Sequence, residues 1–460
     1  MTSVLAELVA ETRTGLEARR RLAPAPARER HLAPASHRFA AALERPGPAL
    51  ILEVKRASPS EGALRRDCDP GAIAAEYEGA ASAVSVVTAA PKFGGSLADL
   101  ARARAGTTLP LLCKDFVVDP VQVIEARAHG ADAILLMLSV LDDTGYRRCA
   151  ATAAALGMDV LTEVHDAPEA ARAVALGARI VGINNRDLRT LAVDLGVTER
   201  LAPLIPRDRV VVSESGIRSR EEIRRLSGHA RGFLIGTTLM RSPRPGVAAR
   251  ELAYGRVKIC GLTSPDDARR AWAAGASLGG VIFAESPRRV DEARASEIAA
   301  ASPLMLVGVF VNERPAAVAG LAARLGLAAV QLHGDESPGD VRATRALVPA
   351  GCEVWKAVPV RSAAEVPRVG DLGADRLVAE SAVPGQRGGG GRPFAWEGLD
   401  RHPDRARLVL AGGISPANAG LAARTGCGTL DLASGVESSP GVKDARLLGL
   451  LFDALREAAC

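Results

Sequence analysis

The stretch ILEVKRASPS at residues 51–60 places an apolar strand directly before a cluster of charged residues, and RVKIC at 256–260 repeats the arrangement. Glu53 and Lys55 are two residues apart, so on a strand both side chains point to one face, opposite Leu52 and Val54. Parallel strands covered by helices are normally apolar on both faces, and a buried charge is costly unless it is paired or used. The charged face therefore indicates function, and its repetition predicts two similar domains.

Strand-like apolar runs alternate with helix-period segments through both halves of the chain. The first half has runs near 49–54, 83–88, 109–113, 132–138, 158–162, 179–183, 209–213 and 231–235. The second half has runs near 256–260, 278–283, 304–311, 327–332, 352–357, 375–379, 407–411 and 427–432. Eight strand–helix units in about 200–250 residues are typical of a (β/α)8 barrel. The sequence predicts an α/β fold with two consecutive TIM barrels.

The expected domain limits follow from where this pattern begins again. The first barrel, with an N-terminal helical extension near 3–21, is expected over residues 1–254, and the second over 255–460. The glycine-rich segment VPGQRGGGGRP at 383–393 has no strand–turn–helix context for a dinucleotide fingerprint and is predicted to be a mobile loop.

Composition excludes several classes of protein. The chain is 48% hydrophobic and 24% charged, which is typical of a globular protein, and it has no uncharged apolar stretch of membrane-spanning length. Glu7 and Glu11 interrupt the first apolar stretch, unlike a secretory signal, so we expect a cytoplasmic protein. Only 3% of the residues are aromatic, so the net charge of +5 is expected to reflect solvated helices and not nucleic-acid binding. The seven cysteines form no C-x-x-C pair, which predicts neither disulfides nor a metal.

Polar residues gather at the predicted strand ends of the first half, where barrels of this kind have their active sites. They are Glu53, Lys55, Lys114, Glu163, Asn184, Arg186, Glu214 and Ser215. Each alone could be an exposed strand-end residue, but together seven of the eight are expected to face one cavity. Lysines beside carboxylates in a pocket poor in water have shifted pKa values, so the set predicts acid–base chemistry without a metal or cofactor.

The second half offers a different set of candidates. Lys258 and Cys260 share one strand face, where the cation would favour the thiolate, although many such cysteines are inert core residues. Further strand-end candidates are Arg288, Gln331, His333, Lys356, Glu380 and Asp431. Small residues after the last two strands of each half, in SESG, FLIGTT, AGGI and ASG, indicate a phosphate site in each barrel, the alternative being tight turns.

The motifs in these positions resemble two known families. ILEVKRASPS, LCKDF, LTEVH, GINNRDL, SESGI and FLIGTTLM resemble indole-3-glycerol phosphate synthase over about 3–254. KICGLT, ESPRRV, VGVFVN, VQLHGDE, WKAV, LAGGI and DLASGVESSPGVKD resemble phosphoribosylanthranilate isomerase over about 256–457. Their order resembles the fused bifunctional enzyme of tryptophan biosynthesis, whose substrates are small phosphorylated derivatives of anthranilate.

For the first barrel, the resemblance implies ring closure of carboxyphenylamino-deoxyribulose 5-phosphate, with loss of CO2 and water, to indole-3-glycerol phosphate. Lys114 matches the family's general acid and Glu163 its proton-transfer partner. The positions that match residues orienting substrate or stabilising charge are Glu53, Lys55, Asn184, Arg186 and Glu214. Those that match substrate or phosphate contacts are Ser58, Phe116, Ser215, Gly216, Gly236 and Thr237. TAAPKFGGS at 88–96 lacks the acidic residue that the family usually has after the threonine.

For the second barrel, the resemblance implies the Amadori rearrangement of phosphoribosylanthranilate, with Cys260 as base and Arg288 near the anthranilate carboxylate. Other positions that match substrate contacts are Lys258, His333, Gly412, Gly413, Asp431, Ser434 and Gly435. Glu380 stands where the family has a catalytic Asp, and the following loop is altered at Ala395. One alternative is that only the first barrel is active and the second is a weak or structural partner. Another is a non-catalytic phosphosugar-binding protein, and the oligomeric state is not indicated.

Overall fold

The computed structural model describes residues 4–22, 32–36, 38–65, 67–90, 92–187, 190–382 and 393–458. The chain forms two compact units that divide between Ala249 and Arg250, five residues before the predicted boundary. This division falls inside helix Pro245–Tyr254. The predicted mobile loop at 383–393 lies outside the described residues except for its last position.

The first unit contains a closed parallel barrel of eight strands within the described residues, as the sequence predicted. Its strands, with one short hairpin formed by β2 and β3, are β1 (Ala49–Val54), β2 (Ala57–Ser58), β3 (Gly62–Ala63), β4 (Ala83–Val87), β5 (Leu111–Lys114), β6 (Ala133–Met137), β7 (Asp159–Val164), β8 (Ile180–Asn184), β9 (Val210–Glu214) and β10 (Gly232–Ile235). Strand β1 pairs with β4 on one side and with β10 on the other, which closes the barrel.

Helices surround this barrel, and several of them begin at a side chain that caps the first turn. They are α1 (Val4–Leu22), α2 (Phe39–Leu43), α3 (Pro70–Tyr77), α4 (Leu97–Gly106), α5 (Pro120–Ala128), α6 (Asp143–Ala155), α7 (Ala167–Ala175), α8 (Gly196–Leu201), α9 (Arg220–Leu226) and α10 (Thr237–Arg241). Asp69, Asp119 and Asp166 each accept a hydrogen bond from a backbone N–H in the first turn, satisfying donors that a helix start leaves unpaired.

Apolar side chains fill the interior of the first barrel below its strand ends. Ile51, Leu112 and Leu161 are fully buried there, and Phe39 of α2 packs against the same cluster. Since alternate residues of a strand share a face, Glu53 points to the same side as Ile51. The predicted charged face of β1 therefore continues the barrel interior upward to its carboxyl end.

The second unit repeats the architecture, with a closed parallel barrel of eight strands among its described residues. Helix α11 (Pro245–Tyr254) leads into it. The barrel strands and a final hairpin are β11 (Arg256–Cys260), β12 (Leu278–Ile282), β13 (Met305–Phe310), β14 (Ala329–Leu332), β15 (Glu353–Val360), β16 (Arg376–Ser381), β17 (Leu408–Ala411), β18 (Thr429–Leu432), β19 (Glu437–Ser439) and β20 (Val442–Lys443). The helices are α12 (Pro265–Ala274), α13 (Glu292–Ala301), α14 (Pro315–Leu325), α15 (Pro338–Leu347), α16 (Ala419–Arg424) and α17 (Ala445–Glu457).

Among the described residues, two connections of this barrel have short 3-10 helices in place of an α-helix, and the one between β16 and β17 contains Leu399–Arg401 and Arg405–Arg407. Between β15 and β16 the chain forms two short 3-10 helices, Ala363–Glu365 and Val369–Leu372, in place of an α-helix. Pro367 and the left-handed Gly373 lie in this segment, and both residue types interrupt helices. No helix among the residues that the structure describes is long and apolar enough to cross a membrane.

Candidate active sites

A cavity of about 420 Å³ lies within the first unit at the carboxyl ends of the barrel strands. Seven of the eight predicted strand-end residues line it, namely Glu53, Lys55, Lys114, Glu163, Asn184, Arg186 and Ser215. The eighth, Glu214, is fully buried and reaches the cavity through Lys114, to which it hydrogen-bonds. The structure thus brings the whole predicted set together.

Lys114 is the centre of this constellation. Its Nζ lies 2.6 Å from Glu214 Oε2 and 3.9 Å from one carboxylate oxygen each of Glu53 and Glu163. Lys55 adds a second cation, with its Nζ 2.8 Å from Glu53 Oε1. Side chains from four strands therefore share charge across one small volume.

The sequence predicts that lysines of this site have shifted pKa values. In the structure, a carboxyl group is the one whose pKa moves toward neutrality. Burial acts to lower the pKa of Lys114, but the carboxylates of Glu214, Glu53 and Glu163 outweigh it and hold that pKa above its usual value. Burial raises the pKa of Glu214 to about 7, against the opposing effect of Lys114. Of these two groups, the carboxyl of Glu214, and not Lys114, therefore has the pKa nearer to neutrality.

His165 belongs to this site although the sequence analysis did not single it out. Its Nε2 lies 3.2 Å from Glu163 Oε1, and its Nδ1 lies 3.2 Å from Glu169 Oε2. Burial lowers the pKa of His165, but the two carboxylates raise it to about 10. For Glu163, burial raises the pKa while His165 and Lys114 lower it, with a net decrease. His165 stands in the quoted motif LTEVH, two residues after Glu163 and directly after the end of β7, and this position was the available signal.

Asn184 and Arg186 hold fixed positions beside these charges. Asn184 Nδ2 donates to Glu163 Oε1 at 3.1 Å, and its Oδ1 accepts from the backbone N–H of Arg186 at 3.0 Å. Arg186 Nη1 donates to the carbonyl of Leu191. These bonds orient the carboxylate of Glu163 and place a guanidinium at the cavity wall.

The residues predicted for phosphate and substrate contact line the same cavity. They are Ser58, Phe116, Ser215, Gly216, Gly236 and Thr237. Ser215 has a φ of 67° and Gly216 a φ of 86°, so this turn carries the backbone strain often found at functional sites. Gly236 has an additional role, because a Cβ at that position would collide with the carboxylate of Glu53.

In the second barrel, Lys258 forms the most buried ionic contacts among the predicted residues. Its Nζ lies 2.7 Å from Asp431 Oδ2, 2.7 Å from Gln331 Oε1 and 3.3 Å from Cys260 Sγ. Burial raises the pKa of the Cys260 thiol, and the attraction of Lys258 offsets this only in part because Asp431 opposes it. The pKa of Cys260 is therefore raised overall, so the structure does not show the expected preference for the thiolate.

Arg288 is held by Glu437, and Glu437 is held by Lys443; neither of these two residues is among those predicted from the sequence. Arg288 donates to both carboxylate oxygens of Glu437, from Nε at 2.9 Å and from Nη2 at 2.7 Å. Glu437 also accepts from Lys443 Nζ at 2.6 Å, and Lys443 donates in turn to the carbonyl of Cys260. This cluster links the predicted arginine to the predicted base, and residue spacing alone does not indicate it.

Glu380 and His333 meet at the carboxyl ends of their strands, with Glu380 Oε2 2.9 Å from His333 Nε2. Lys356, another strand-end candidate, instead donates to Glu336 and to the carbonyl of Gly334. Its contacts therefore hold the loop after β14, so it departs from the predicted set.

The small residues after the last two barrel strands also come together. Gly412 and Gly413 have φ values of 88° and 69°, which favour glycine. Gly435 follows Ser434 at the end of β18 and packs so closely on the carbonyl of Ile414 that a Cβ would collide with it. The two predicted loops therefore form one continuous backbone surface.

Comparison with known proteins identifies the family. A family model described as indole-3-glycerol phosphate synthase matches residues 5–252, and one described as N-(5'-phosphoribosyl)anthranilate isomerase matches residues 257–454. The tryptophan biosynthesis protein TrpCF of Vibrio cholerae is 46% identical over 99% of this chain and 96% of its own length. The chain belongs to the bifunctional TrpCF family. The TrpCF protein of Salmonella typhi is 44% identical over 99% of this chain and 100% of its own.

A solved phosphoribosylanthranilate isomerase from Thermus thermophilus is 35% identical and covers 44% of this chain and 98% of its own, with a TM-score of 0.39. As a TrpCF protein, the chain carries an indole-3-glycerol phosphate synthase followed by a phosphoribosylanthranilate isomerase. The resemblance stated from the motifs is confirmed. The alternative of a weak or structural second barrel is not favoured, and the substrates are anthranilate-derived phosphosugars.

Proposed function

We propose that, in the first barrel, Lys114 donates a proton during ring closure and Glu163 takes part in the following proton transfer. The observation that carries this proposal is the contact of Lys114 with three carboxylates from three other strands around one cavity. A lysine proton held by surrounding carboxylates becomes available when substrate displaces those contacts. Glu214, whose pKa lies near neutrality, can then return a proton to the lysine.

The remaining polar groups of this cavity orient the substrate and balance developing charge. Lys55 and Arg186 supply the cations, and Asn184 fixes Glu163 by its hydrogen bond. The strained turn at Ser215 and Gly216, with Gly236 and Thr237, is proposed to receive the phosphate on backbone N–H groups. Ser58 and Phe116 complete the wall against which the anthranilate ring would lie.

In the second barrel, Cys260 is proposed as the base that removes the C2 proton and Glu380 as the acid that opens the ribose ring. Support comes from Lys258, which touches the Cys260 thiol, and from the contact of Glu380 with His333. Arg288 would bind the anthranilate carboxylate while Glu437 holds the guanidinium in plane. Gly412, Gly413, Ser434 and Gly435 are proposed to bind the phosphate, and Asp431 to set the charge of Lys258.

We propose a cytoplasmic location, because the relatives that match along the length of the chain are bacterial tryptophan biosynthesis proteins. We propose the domain limits 1–254 and 255–460, because the two family matches end at 252 and begin at 257.

Two assays on the intact chain test the proposed reactions. In the first, phosphoribosylanthranilate is generated in situ and its conversion to carboxyphenylamino-deoxyribulose phosphate is followed by chromatography. In the second, that product is supplied directly, and release of CO2 and formation of indole-3-glycerol phosphate are measured. Both conversions are expected. If phosphoribosylanthranilate undergoes only its spontaneous loss while the second assay succeeds, the isomerase assignment of the second barrel fails.

Gly182→Ala is expected to lower the synthase kcat by about 100-fold. A Cβ at position 182 would collide with Glu214 Oε1, so the carboxyl group that accepts from Lys114 must shift, and a displacement of about 1 Å in a reacting group can cost this much. The matched control is Gly228→Ala, since a Cβ there has no neighbour within 4 Å among the described residues. Unchanged synthase activity in Gly182→Ala would contradict the role given to Glu214.

His165→Ala is expected to move the acidic limb of the synthase pH profile to higher pH. Loss of the cation raises the pKa of Glu163, which must be ionised to accept a proton.

The stability of the His165→Ala variant relative to the parent is expected to depend on pH. The folded pKa of His165 is raised to about 10, so its stabilisation is complete below about pH 6.5 and is lost as the pH rises through 10. The difference in unfolding midpoint from the parent should shrink over that window, and a constant difference would contradict the charge assignment.

A further inference from the structure

Gln331 has only one amide orientation compatible with its neighbours. One end of its amide lies 2.7 Å from Lys258 Nζ, and the other lies 2.9 Å from His333 Nδ1. An ammonium group has three donors and no acceptor, so the Gln331 oxygen must face Lys258. The amide NH2 therefore faces the histidine, and Lys258 fixes the direction of this hydrogen bond.

That direction determines the hydrogen position on His333. Since Gln331 donates to Nδ1, this nitrogen must be the acceptor, and the hydrogen of the ring is on Nε2. Nε2 lies 2.9 Å from Glu380 Oε2, within hydrogen-bonding distance. The Lys258–Gln331–His333 chain thus presents an N–H to the carboxyl group of Glu380, and both side chains of the contact are mostly shielded from solvent.

We propose that His333 is a positioning residue for Glu380, holding one carboxyl oxygen so that the other delivers its proton to the substrate. This inference rests on the proposed role of Glu380 as the acid. It changes the role of His333 from the substrate contact implied by the family motif to a partner of the acid. The motif alone could not indicate this contact, because β14 and β16 are not adjacent in the barrel.

The length of the Glu380 side chain gives the contact its purpose. Glu has one more methylene than the Asp usual in the family, so its carboxyl extends about 1.5 Å further from the backbone. A longer side chain has more rotamers, and an acid must be held close to its working geometry. An N–H donor at Oε2 removes that freedom, and it also stabilises the carboxylate that forms as the proton leaves.

A double-mutant cycle tests the proposal by measuring isomerase kcat and KM. His333→Leu is expected to lower kcat by about 10- to 100-fold in the parent chain, the order found for a lost donor at a developing anion. In a Glu380→Asp background the shorter carboxyl cannot reach the histidine, so the same change should lower kcat less than about threefold. His333→Gln, whose amide nitrogen can occupy the place of Nε2, should restore part of kcat with Glu380 but none with Asp.

Three controls make every outcome decisive. The affinity for the product and the unfolding midpoint, measured for each variant, distinguish a loss of folding from a loss of catalysis. If His333→Leu does not fold, the cycle is measured with His333→Gln in both backgrounds. An equal loss of kcat in both backgrounds, or an effect on KM alone, overturns the proposal and returns His333 to substrate binding. Glu380→Ala tests the underlying assignment separately, because substantial activity in that variant would overturn the acid role itself.

Discussion

Lys114→Met is expected to lower the synthase reaction by about 10³-fold or more while leaving the isomerase reaction intact. General acid catalysis contributes about 10²- to 10⁴-fold, and Lys114 is the cation that contacts Glu53, Glu163 and Glu214 together. Methionine keeps most of the volume of the side chain and removes the charge and the proton. Supplied with phosphoribosylanthranilate, the variant should therefore accumulate carboxyphenylamino-deoxyribulose phosphate and form almost no indole-3-glycerol phosphate.

The measurement is a time course of both products by chromatography, with the parent chain and a surface variant run in parallel. Arg225→Met is a suitable surface variant, because Arg225 forms an exposed ion pair with Glu199 that contributes little. It should behave as the parent does. If Lys114→Met retained more than about a tenth of the synthase rate, a different residue of the cavity would have to be the acid.

The barrel strands and the first site could be predicted because both follow from local patterns. Each strand can be recognised from its own run of apolar residues, and in this architecture the functional side chains lie at the carboxyl ends of the strands. Glu53 and Lys55 were assigned to the interior from their spacing alone, and Glu53 does lie beside Glu163 and Lys114. Strand-end position is thus enough to assemble a site when all the strands end at one face.

Contacts between distant strand ends could not be predicted in the same way. The pairing of Arg288 with Glu437, 149 positions apart, depends on how far each loop folds over the barrel. The pKa of Lys114 is raised because three carboxylates lie within reach, whereas burial alone would have lowered that pKa. Sequence patterns give the position of a charge, whereas its proton affinity is set by neighbours from other strands.

Cys260→Ala is expected to lower the isomerase kcat by about 10³-fold and to leave the synthase activity unchanged. The thiol lies on the interior face of β11, and its sulfur is 3.3 Å from Lys258 Nζ. A positioned base contributes about 10²- to 10⁴-fold, and alanine offers no proton acceptor. Supplied with carboxyphenylamino-deoxyribulose phosphate, the variant should still produce indole-3-glycerol phosphate at the parent rate.

The pKa of the thiol makes this prediction more specific than simple loss of activity. Burial raises the pKa of Cys260 above its ordinary value, so the thiolate becomes more abundant as the pH increases. The parent kcat/KM should therefore rise with pH on the limb that reports the base, and that limb should be absent from the residual rate of Cys260→Ala. Cys352→Ala, at a half-buried cysteine of the same barrel, should retain both the rate and the limb. A Cys260→Ala variant with the parent profile would mean that a group other than this thiol removes the C2 proton.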